Sequence, residues 1–505
     1  MGTTTNYGMT TMKYSTRCLL IALLALGWHA RALAQAVGQG ASASAVPTSQ
    51  TGYIDLLAGL TYTDNALLAG GQRQGDGIGA AGINVDYARH SELSLDLLGN
   101  VERLEYLRRS FAGSFYGHFY GSAILGKATD PLQWQLRDSF GEGTTDPLAA
   151  PTPVHLQTIN DVATGPIVNL HFGLANRLTL FGLYSRTTYQ RSPYDSQAYQ
   201  GGTEFVHRLS GASSLALQAS TERIEYIDRA AAQSYGGGII ANYAIRQASG
   251  AYEANFARIH VRLRAGYNQL DYGAGARHGA PLYAVSVSRT VSPFSTVFLS
   301  GQSAYSANGN SMGSPNNQIS LQAGASVSPG YAVAQPVYER SGAVGWTFQR
   351  ARSHVSLIGT IRQDIYQQAA ATNGYNGSYG NYGNYGNHRN EGVVAILGRQ
   401  LRPTVALQLR AQGYVERYTN LNARTQWESV GFTLSKHFAR LAASLYAERR
   451  HQSGSPGAST FLAASYNDDR VGLYFTYDLF GQRPMDSFLG AMPGMAGSMG
   501  GSSLQ

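Results

Sequence analysis

A run of basic side chains lies near the middle of the chain, in the stretch ARIHVRLRAG from Ala257 to Gly266. In an extended strand, successive side chains point to opposite faces, so one face is basic and the other is aliphatic. The basic face carries Arg258, His260, Arg262 and Arg264. Guanidinium groups in a row attract anions and bind carboxylate or phosphate. The stretch therefore predicts either an anion-binding surface or a ladder of ion pairs with carboxylates such as Glu222 or Glu253.

A second candidate surface is the tract YNGSYGNYGNYGNH, residues 375–388, which has no aliphatic side chain and no carboxylate. Its tyrosines are separated by Gly, Asn and Ser, the residues of turns. They are Tyr375, Tyr379, Tyr382 and Tyr385. Two interpretations stay open for this tract. It is either an external loop whose tyrosines contact glycans, or a flexible loop that grew by repeat expansion.

Two short patterns match the motifs of enzymes without their context. GIGAAG, residues 77–82, fits the dinucleotide-binding expression, but a strand-like segment follows it where a helix is required. GNSMG, residues 309–313, fits the nucleophile elbow, but it lies in a polar loop with no helix after it. The 12 histidines show no metal-ligand spacing. We therefore expect no enzyme, no cofactor and no metal site.

Alternation of apolar and polar residues dominates the sequence after residue 50. In TVALQLRAQGYVE, residues 404–416, aliphatic residues and glycine alternate with amides and charged groups. Residues 91–102 and 471–479 show the same design, and no run of 18 apolar residues occurs. This period of two is typical of strands with one apolar face. Because a soluble β-sandwich would show it as well, the alternation alone leaves two architectures open.

The connections between the strand-like segments favour a membrane barrel over the sandwich. Tight turns such as Ala175-Asn176 and Arg402-Pro403 occur along the chain. In its second half, tight turns broadly alternate with long polar segments such as 307–330 and 369–390. Outer-membrane barrels combine short periplasmic turns with long external loops. The sequence therefore predicts an all-β fold, a single antiparallel transmembrane β-barrel of roughly 18–20 strands. The tyrosine tract then falls in an external loop. The basic face of residues 258–264 should point into the lumen, because a charge facing lipid near the bilayer midplane costs about 2–4 kcal/mol.

Composition and the first residues indicate the compartment. Charged residues make up 13% of the 505-residue chain, against about 25% in ordinary soluble domains. Lys13 and Arg17 precede an apolar run that is too short to span a bilayer, and Ala32-Leu33-Ala34 supplies small residues for cleavage. We therefore expect a signal peptide (1–34), a flexible leader (35–50), the barrel (51–481) and a disordered Gly/Met-rich tail (482–505). The one cysteine, Cys18, would leave with the signal peptide.

Two short motifs resemble a known family. TYTDN, residues 61–65, resembles the end of the first strand in the β-barrel porins encoded with bacterial exopolysaccharide and exosortase systems. NDDRVGLYFTYDLF, residues 467–480, resembles the terminal strand of that family, in which an acidic pair, an arginine and an alternating run close the barrel. The family implies an outer-membrane barrel of a Gram-negative bacterium, without catalytic residues. One departure is that residues follow Phe480, where such barrels often end on an aromatic residue read by the assembly machinery.

The combined interpretation is a non-enzymatic conduit or partner in exopolysaccharide export. We expect contacts with outer-membrane lipid and the barrel-assembly machinery, with a periplasmic polysaccharide export protein and an exopolysaccharide as further partners, and none with nucleic acid. A general diffusion porin or a passive envelope scaffold is the alternative, and an outer-membrane acylhydrolase is the third. An export role further predicts neighbouring genes for glycosyltransferases and a polysaccharide exporter.

Overall fold

The computed structural model describes residues 49–71, 73–127, 129–145, 149–236, 240–272, 277–307, 330–331, 336–367, 387–419, 423–455 and 465–479. The expected signal peptide, the expected tail and most of the expected leader lie outside these residues. The first strand begins at Ser49, two residues before the expected start of the barrel. The described part of the chain is almost entirely β-strand.

The strands are β1 (Ser49–Thr63), β2 (Asp76–His90), β3 (Leu93–Tyr106), β4 (Ser114–Leu125), β5 (Leu132–Thr144), β6 (Leu156–Phe172), β7 (Asn176–Tyr189), β8 (Ser196–Arg208), β9 (Ser213–Tyr226), β10 (Tyr243–Asn255), β11 (Ile259–Tyr272), β12 (Arg277–Ser292), β13 (Ser295–Ser306), β14 (Gly330–Tyr331), β15 (Val337–Arg350), β16 (Ser353–Tyr366), β17 (His388–Arg402), β18 (Val405–Tyr418), β19 (Ala423–Phe438), β20 (Leu441–Ser455) and β21 (Tyr466–Asp478). One helix, α1 (Arg229–Gly236), lies between β9 and β10, and Asp228 caps it by accepting a hydrogen bond from the amide of Ala231 at 2.9 Å.

Each long strand pairs antiparallel with its neighbour in sequence, and β13 pairs with β15. The pairing of β1 with β21 closes the sheet on itself, from Asp55 opposite Asp478 to Thr63 opposite Arg470. Twenty long strands thus form a single closed barrel, which confirms the predicted fold class and lies within the predicted strand number. The two-residue β14 pairs parallel with the end of β5.

The two faces of the barrel wall are inverted relative to a soluble protein. On β18, Leu409 is 44% exposed, whereas its neighbours Gln408 and Arg410 are 4% and 5% exposed. The same alternation holds on β21, where Val471, Leu473, Phe475 and Tyr477 are exposed. A wall with leucine outside and arginine inside has a low free energy only when a non-aqueous phase surrounds it. The outer face therefore lies against lipid and the inner face lines a polar lumen.

The connections differ between the two ends of the barrel. At one end the strands are joined by turns of two to a few residues, as at Ala439-Arg440 between β19 and β20. At the other end most connections are longer, and they include α1 and the segments 307–336 and 367–387. The predicted loop 369–390 extends too far at its C-terminal end, because β17 already begins at His388. Among the described residues no helix is long and apolar enough to cross a membrane.

Candidate functional site: the charged wall of the lumen

The inner face of β15–β18 carries a compact group of opposite charges. The Arg362 guanidinium on β16 lies 2.9 Å from a carboxylate oxygen of Asp364 and 3.4 Å from one of Glu339 on β15. His388 on β17 places Nε2 3.1 Å from Asp364 and 3.8 Å from Glu416 on β18. All but Arg362 are almost fully buried, and Arg362 is only partly exposed. The group links four consecutive strands through paired charges, the form in which charges are tolerated away from water.

A second charged group continues around the wall on β18–β21. Arg410 donates to Gln412 at 2.7 Å, and Gln412 donates to the Ser429 hydroxyl at 3.0 Å. On β20, Arg450 donates to Glu448 at 2.7 Å. On β21, Arg470 pairs with Asp468, which also accepts a hydrogen bond from Thr63 on β1. The wall therefore presents hydrogen-bond donors and acceptors side by side.

Each of these groups follows one pattern that was not singled out from the sequence. Charged or amide residues two positions apart point to the same face of a strand. The pattern occurs as Arg362-x-Asp364, Glu448-x-Arg450 and Asp468-x-Arg470. Such pairs predict that a face is luminal, but the partners on adjacent strands depend on register and cannot be read from one strand.

The two motifs that carried the family resemblance meet at the seam of the barrel. The Thr61 hydroxyl of TYTDN lies 2.8 Å from the Tyr446 hydroxyl and 3.0 Å from the Tyr474 hydroxyl. Asn65 donates through its amide nitrogen to the Asn467 carbonyl at 2.7 Å. The tyrosine rings lie over glycines directly opposite them, Tyr446 over Gly472 and Tyr474 over Gly59. The motifs thus fix the register in which the first and last strands close the barrel.

The predicted basic face lies at the short-turn end of β11. Arg258 precedes the strand, in the turn before Ile259. Arg262 forms an ion pair with Glu253 of β10 at 2.9 Å, and Arg264 donates to the Ser249 hydroxyl at 2.8 Å. His260 contacts Asn255 through Nδ1. The pair with Glu253 is one that the ion-pair interpretation named, whereas Glu222 lies on β9 opposite Ile245 and not beside these arginines.

An apolar patch covers the inner wall of β8–β12 near the long-loop end, and the ends of β13 and β15 pack on it. The ladder between β12 and β13 ends at Tyr283 and Ser303. Beyond that point the Tyr305 amide donates to Asn268 on β11 at 2.9 Å, and the Tyr338 hydroxyl donates to the Pro281 carbonyl at 2.9 Å. The patch consists of Ala198, Ile224, Tyr243, Ile245, Leu270, Tyr272 and Ala280, with Tyr305, Ala307 and Tyr338 packed against it.

The remaining candidate residues have simpler outcomes. GIGAAG lies entirely within β2, so it forms barrel wall and no dinucleotide loop. The tyrosine tract with Tyr375, Tyr379, Tyr382 and Tyr385, and the GNSMG segment, lie outside the described residues. Within the described residues no group of three or more His, Cys, Asp or Glu side chains is placed to hold a metal ion.

A closed antiparallel barrel with an apolar outer face and a charged inner face is a transmembrane β-barrel of the outer membrane. No protein-family model matches the chain, and no curated protein matches it in sequence.

Solved structures of outer-membrane proteins resemble the chain at low identity. The siderophore receptor PirA from Pseudomonas aeruginosa is 12% identical, with 85% of this chain and 81% of that chain covered and a TM-score of 0.40. The copper transporter OprC is 10% identical, covering 84% and 80%, with a TM-score of 0.40. OccAB3 of Acinetobacter baumannii is 10% identical, covering 85% and 100%, with a TM-score of 0.34. What those proteins carry does not transfer to this chain at these values.

Proposed function

We propose that the barrel is a conduit, or the outer-membrane partner of a conduit, for exopolysaccharide export. The observation that carries the proposal is the chemistry of the inner wall on β15–β21. Paired arginines and carboxylates, amides and tyrosine hydroxyls line this wall and leave little net charge. Such a surface suits a polymer rich in hydroxyl groups better than it suits a simple ion.

Aromatic side chains on the same wall support this choice. Tyr414 on β18 and Trp427 on β19 lie directly opposite each other with ring centroids 5.1 Å apart and ring planes 19° from parallel. Aromatic rings pair an apolar face with a polar edge, as sugar rings do, so the two can stack. Gln412 lies two residues before Tyr414 on β18. Its amide points to the same inner face, closer to the short-turn end. The combination of a stacked aromatic pair with amides and paired charges fits carbohydrate.

The resemblance of the two seam motifs to exopolysaccharide-associated porins points to the same substrate class. The resemblance also implies a periplasmic polysaccharide export protein as the partner at the short-turn end. It further implies that the barrel-assembly machinery inserts this polypeptide into the outer membrane. Arg262 and Arg264 on β11 add positive charge to the other side of the inner face. An acidic polymer is therefore the expected client if those arginines lie along its path.

The test is deletion of the gene followed by measurement of secreted polymer, with complementation by wild type and two variants. Trp427→Ala removes the stacked ring from the inner face. Trp346→Ala is the matched control, because Trp346 lies on the outer face beside Phe348. We expect deletion to abolish export, Trp427→Ala to reduce it several-fold, and Trp346→Ala to restore it.

Unchanged polymer secretion in the deletion strain would overturn the proposal. Conductance of the purified barrel to small solutes, combined with unchanged secretion, would then identify a general diffusion porin. Loss of envelope integrity without either activity would identify a passive scaffold.

A further inference from the structure

A row of polar residues, four of them arginines, crosses five adjacent strands on the outer, lipid-facing surface near the long-loop end. The strand registers place the following residues directly opposite one another in sequence: Arg340 on β15, Gln363 on β16, Arg389 on β17, Arg417 on β18 and Arg424 on β19. We name these five residues the arginine belt. With adjacent strands about 4.8 Å apart, the belt spans roughly 19 Å.

Two arginines of the belt share a single carboxylate. Glu391 receives both Arg389 at 2.5 Å and Arg417 at 3.7 Å. Arg424 donates to the neutral amide oxygen of Gln426 at 3.3 Å, and the Arg340 guanidinium lies 5.2 Å from the centroid of the Tyr338 ring. Like charges directly opposite each other destabilise a sheet. An external anion would therefore be attracted to this row.

A groove of about 540 Å³ lies immediately beneath the belt on the same face. On each of β15–β19 the lining consists of two outward residues and the residue between them. Its walls are mainly aliphatic: Leu299, Val344, Ile361, Val393 and Val415. Its lining also includes the hydroxyl residues Ser300 and Thr360. On β17 and β19 it includes Glu391, Gln426 and Glu428.

Two glycines open this groove without being needed by the backbone. A Cβ added to Gly359 would meet nothing closer than a Val344 methyl at 3.7 Å, and one added to Gly413 would meet the Trp427 carbonyl at 3.4 Å. Neither position has a positive φ. Larger residues would therefore be accommodated there, and their absence leaves a channel for an apolar chain.

The height of the belt on the barrel matches the outer edge of the membrane. On β18 the outward residues from Val405 to Val415 are aliphatic or glycine, and Arg417 follows directly. Ten residue steps of about 3.3 Å on a strand tilted by roughly 40° correspond to about 25 Å along the membrane normal, the height of the apolar band of such barrels. Since long loops face outward, the belt lies at the headgroups of the outer leaflet.

We propose that the belt and the groove together bind a phosphorylated lipid of the outer leaflet. An acyl chain occupies the groove while phosphate groups contact Arg389, Arg417 and Arg424. Guanidinium binds phosphate through paired hydrogen bonds, which explains arginine in place of lysine at these positions. Arg389 and Arg417 are each about half exposed, with side-chain exposures of 48% and 53%, so their donors are accessible to a headgroup.

The test measures binding of lipid A, and of the same lipid after removal of its phosphates, to the full barrel purified in detergent. The triple variant Arg389→Gln, Arg417→Gln, Arg424→Gln is compared with a matched triple, Arg289→Gln, Arg399→Gln, Lys436→Gln. The matched residues are also exposed on the outer face, but at the short-turn end. A third variant, Gly359→Leu with Gly413→Leu, fills the groove and keeps the belt.

We expect wild type and the matched triple to bind lipid A and to lose affinity for the dephosphorylated lipid. The belt triple should bind lipid A more weakly, on the order of tenfold for each guanidinium–phosphate pair that the substitutions remove. The groove variant should also bind more weakly while it still prefers the phosphorylated lipid. Should the belt triple fail to assemble, Arg417→Gln alone is measured in its place.

Equal binding of both lipids by wild type would overturn the proposal, as would equal lipid A binding by the belt triple and the matched triple. Binding of inorganic phosphate alone, with no effect of filling the groove, would show an anion site that takes no lipid and would equally refute it.

Discussion

Removing the Arg362 side chain tests the charge network of the inner wall. Arg362 is the cation that lies between two buried carboxylates, Glu339 at 3.4 Å and Asp364 at 2.9 Å. Arg362→Met keeps much of the side-chain length and removes the charge and all donors. Both carboxylates then face each other across neighbouring strands, with His388 still beside Asp364.

The expected loss of stability follows from the burial of the two acids, each 3% exposed. Breaking a buried ion pair by removing one partner costs about 3–5 kcal/mol, because a charge is left uncompensated. The combination of Arg362→Met with Glu339→Gln and Asp364→Asn leaves no such charge. Most of the stability should then return, since replacing a whole buried network with neutral groups is often close to neutral.

The assay is reversible unfolding of the barrel by denaturant in detergent or lipid, followed by the gel-mobility difference between folded and unfolded forms. We expect the free energy of unfolding of Arg362→Met to fall by about 3–5 kcal/mol and that of the triple variant to lie within about 1.5 kcal/mol of wild type. A single variant within about 0.5 kcal/mol of wild type, the range of ordinary surface substitutions, would refute the view that this network is buried and coupled.

Two further predictions concern the seam and the basic face. Gly472→Leu should slow or prevent assembly, because its Cβ would lie 2.3 Å from the facing tyrosine ring. Gly359→Ala, whose Cβ would make only ordinary van der Waals contact at 3.7 Å, should assemble normally by heat-modifiable migration. Replacing Arg262 and Arg264 with Gln should keep the barrel assembled and shift ion selectivity in planar bilayers away from anions, most strongly at low salt. Val261→Arg places charge toward lipid at a cost of up to about 2–4 kcal/mol and should impair assembly. Unchanged ion selectivity in the Gln double variant would show that these arginines serve only in structural ion pairing.

Local pattern was enough to predict the class of fold. The alternation in residues 404–416 assigns Leu409 to lipid and Arg410 to the lumen, and the structure confirms that assignment. This succeeds because the side-chain period of a strand is two whatever its neighbours are. Loop bounds were less accurate, since His388 belongs to β17 by virtue of its pairing with Tyr418 and not by its own sequence context.

The contacts within the lumen required the three-dimensional register. Thr61 and Tyr446 are 385 positions apart, and their contact exists because β1 closes on β21 beside β20. The basic face around Arg262 was identified because its four basic groups are two positions apart in one short stretch of sequence. The arginine belt was not identified from the sequence, because each of its strands contributes a single residue. Only the strand pairing brings Arg389, Arg417 and Arg424 into one row.

The most direct test of the transmembrane barrel is the inverted wall of β18. A single cysteine carrying a fluorophore is placed at Leu409 or at Gln412, and the barrel is reconstituted in lipids with brominated acyl chains. We expect strong quenching at Leu409 and weak quenching at Gln412, because the former lies against lipid and the latter faces the lumen. Equal quenching at the two positions, or stronger quenching at Gln412, would contradict the transmembrane barrel.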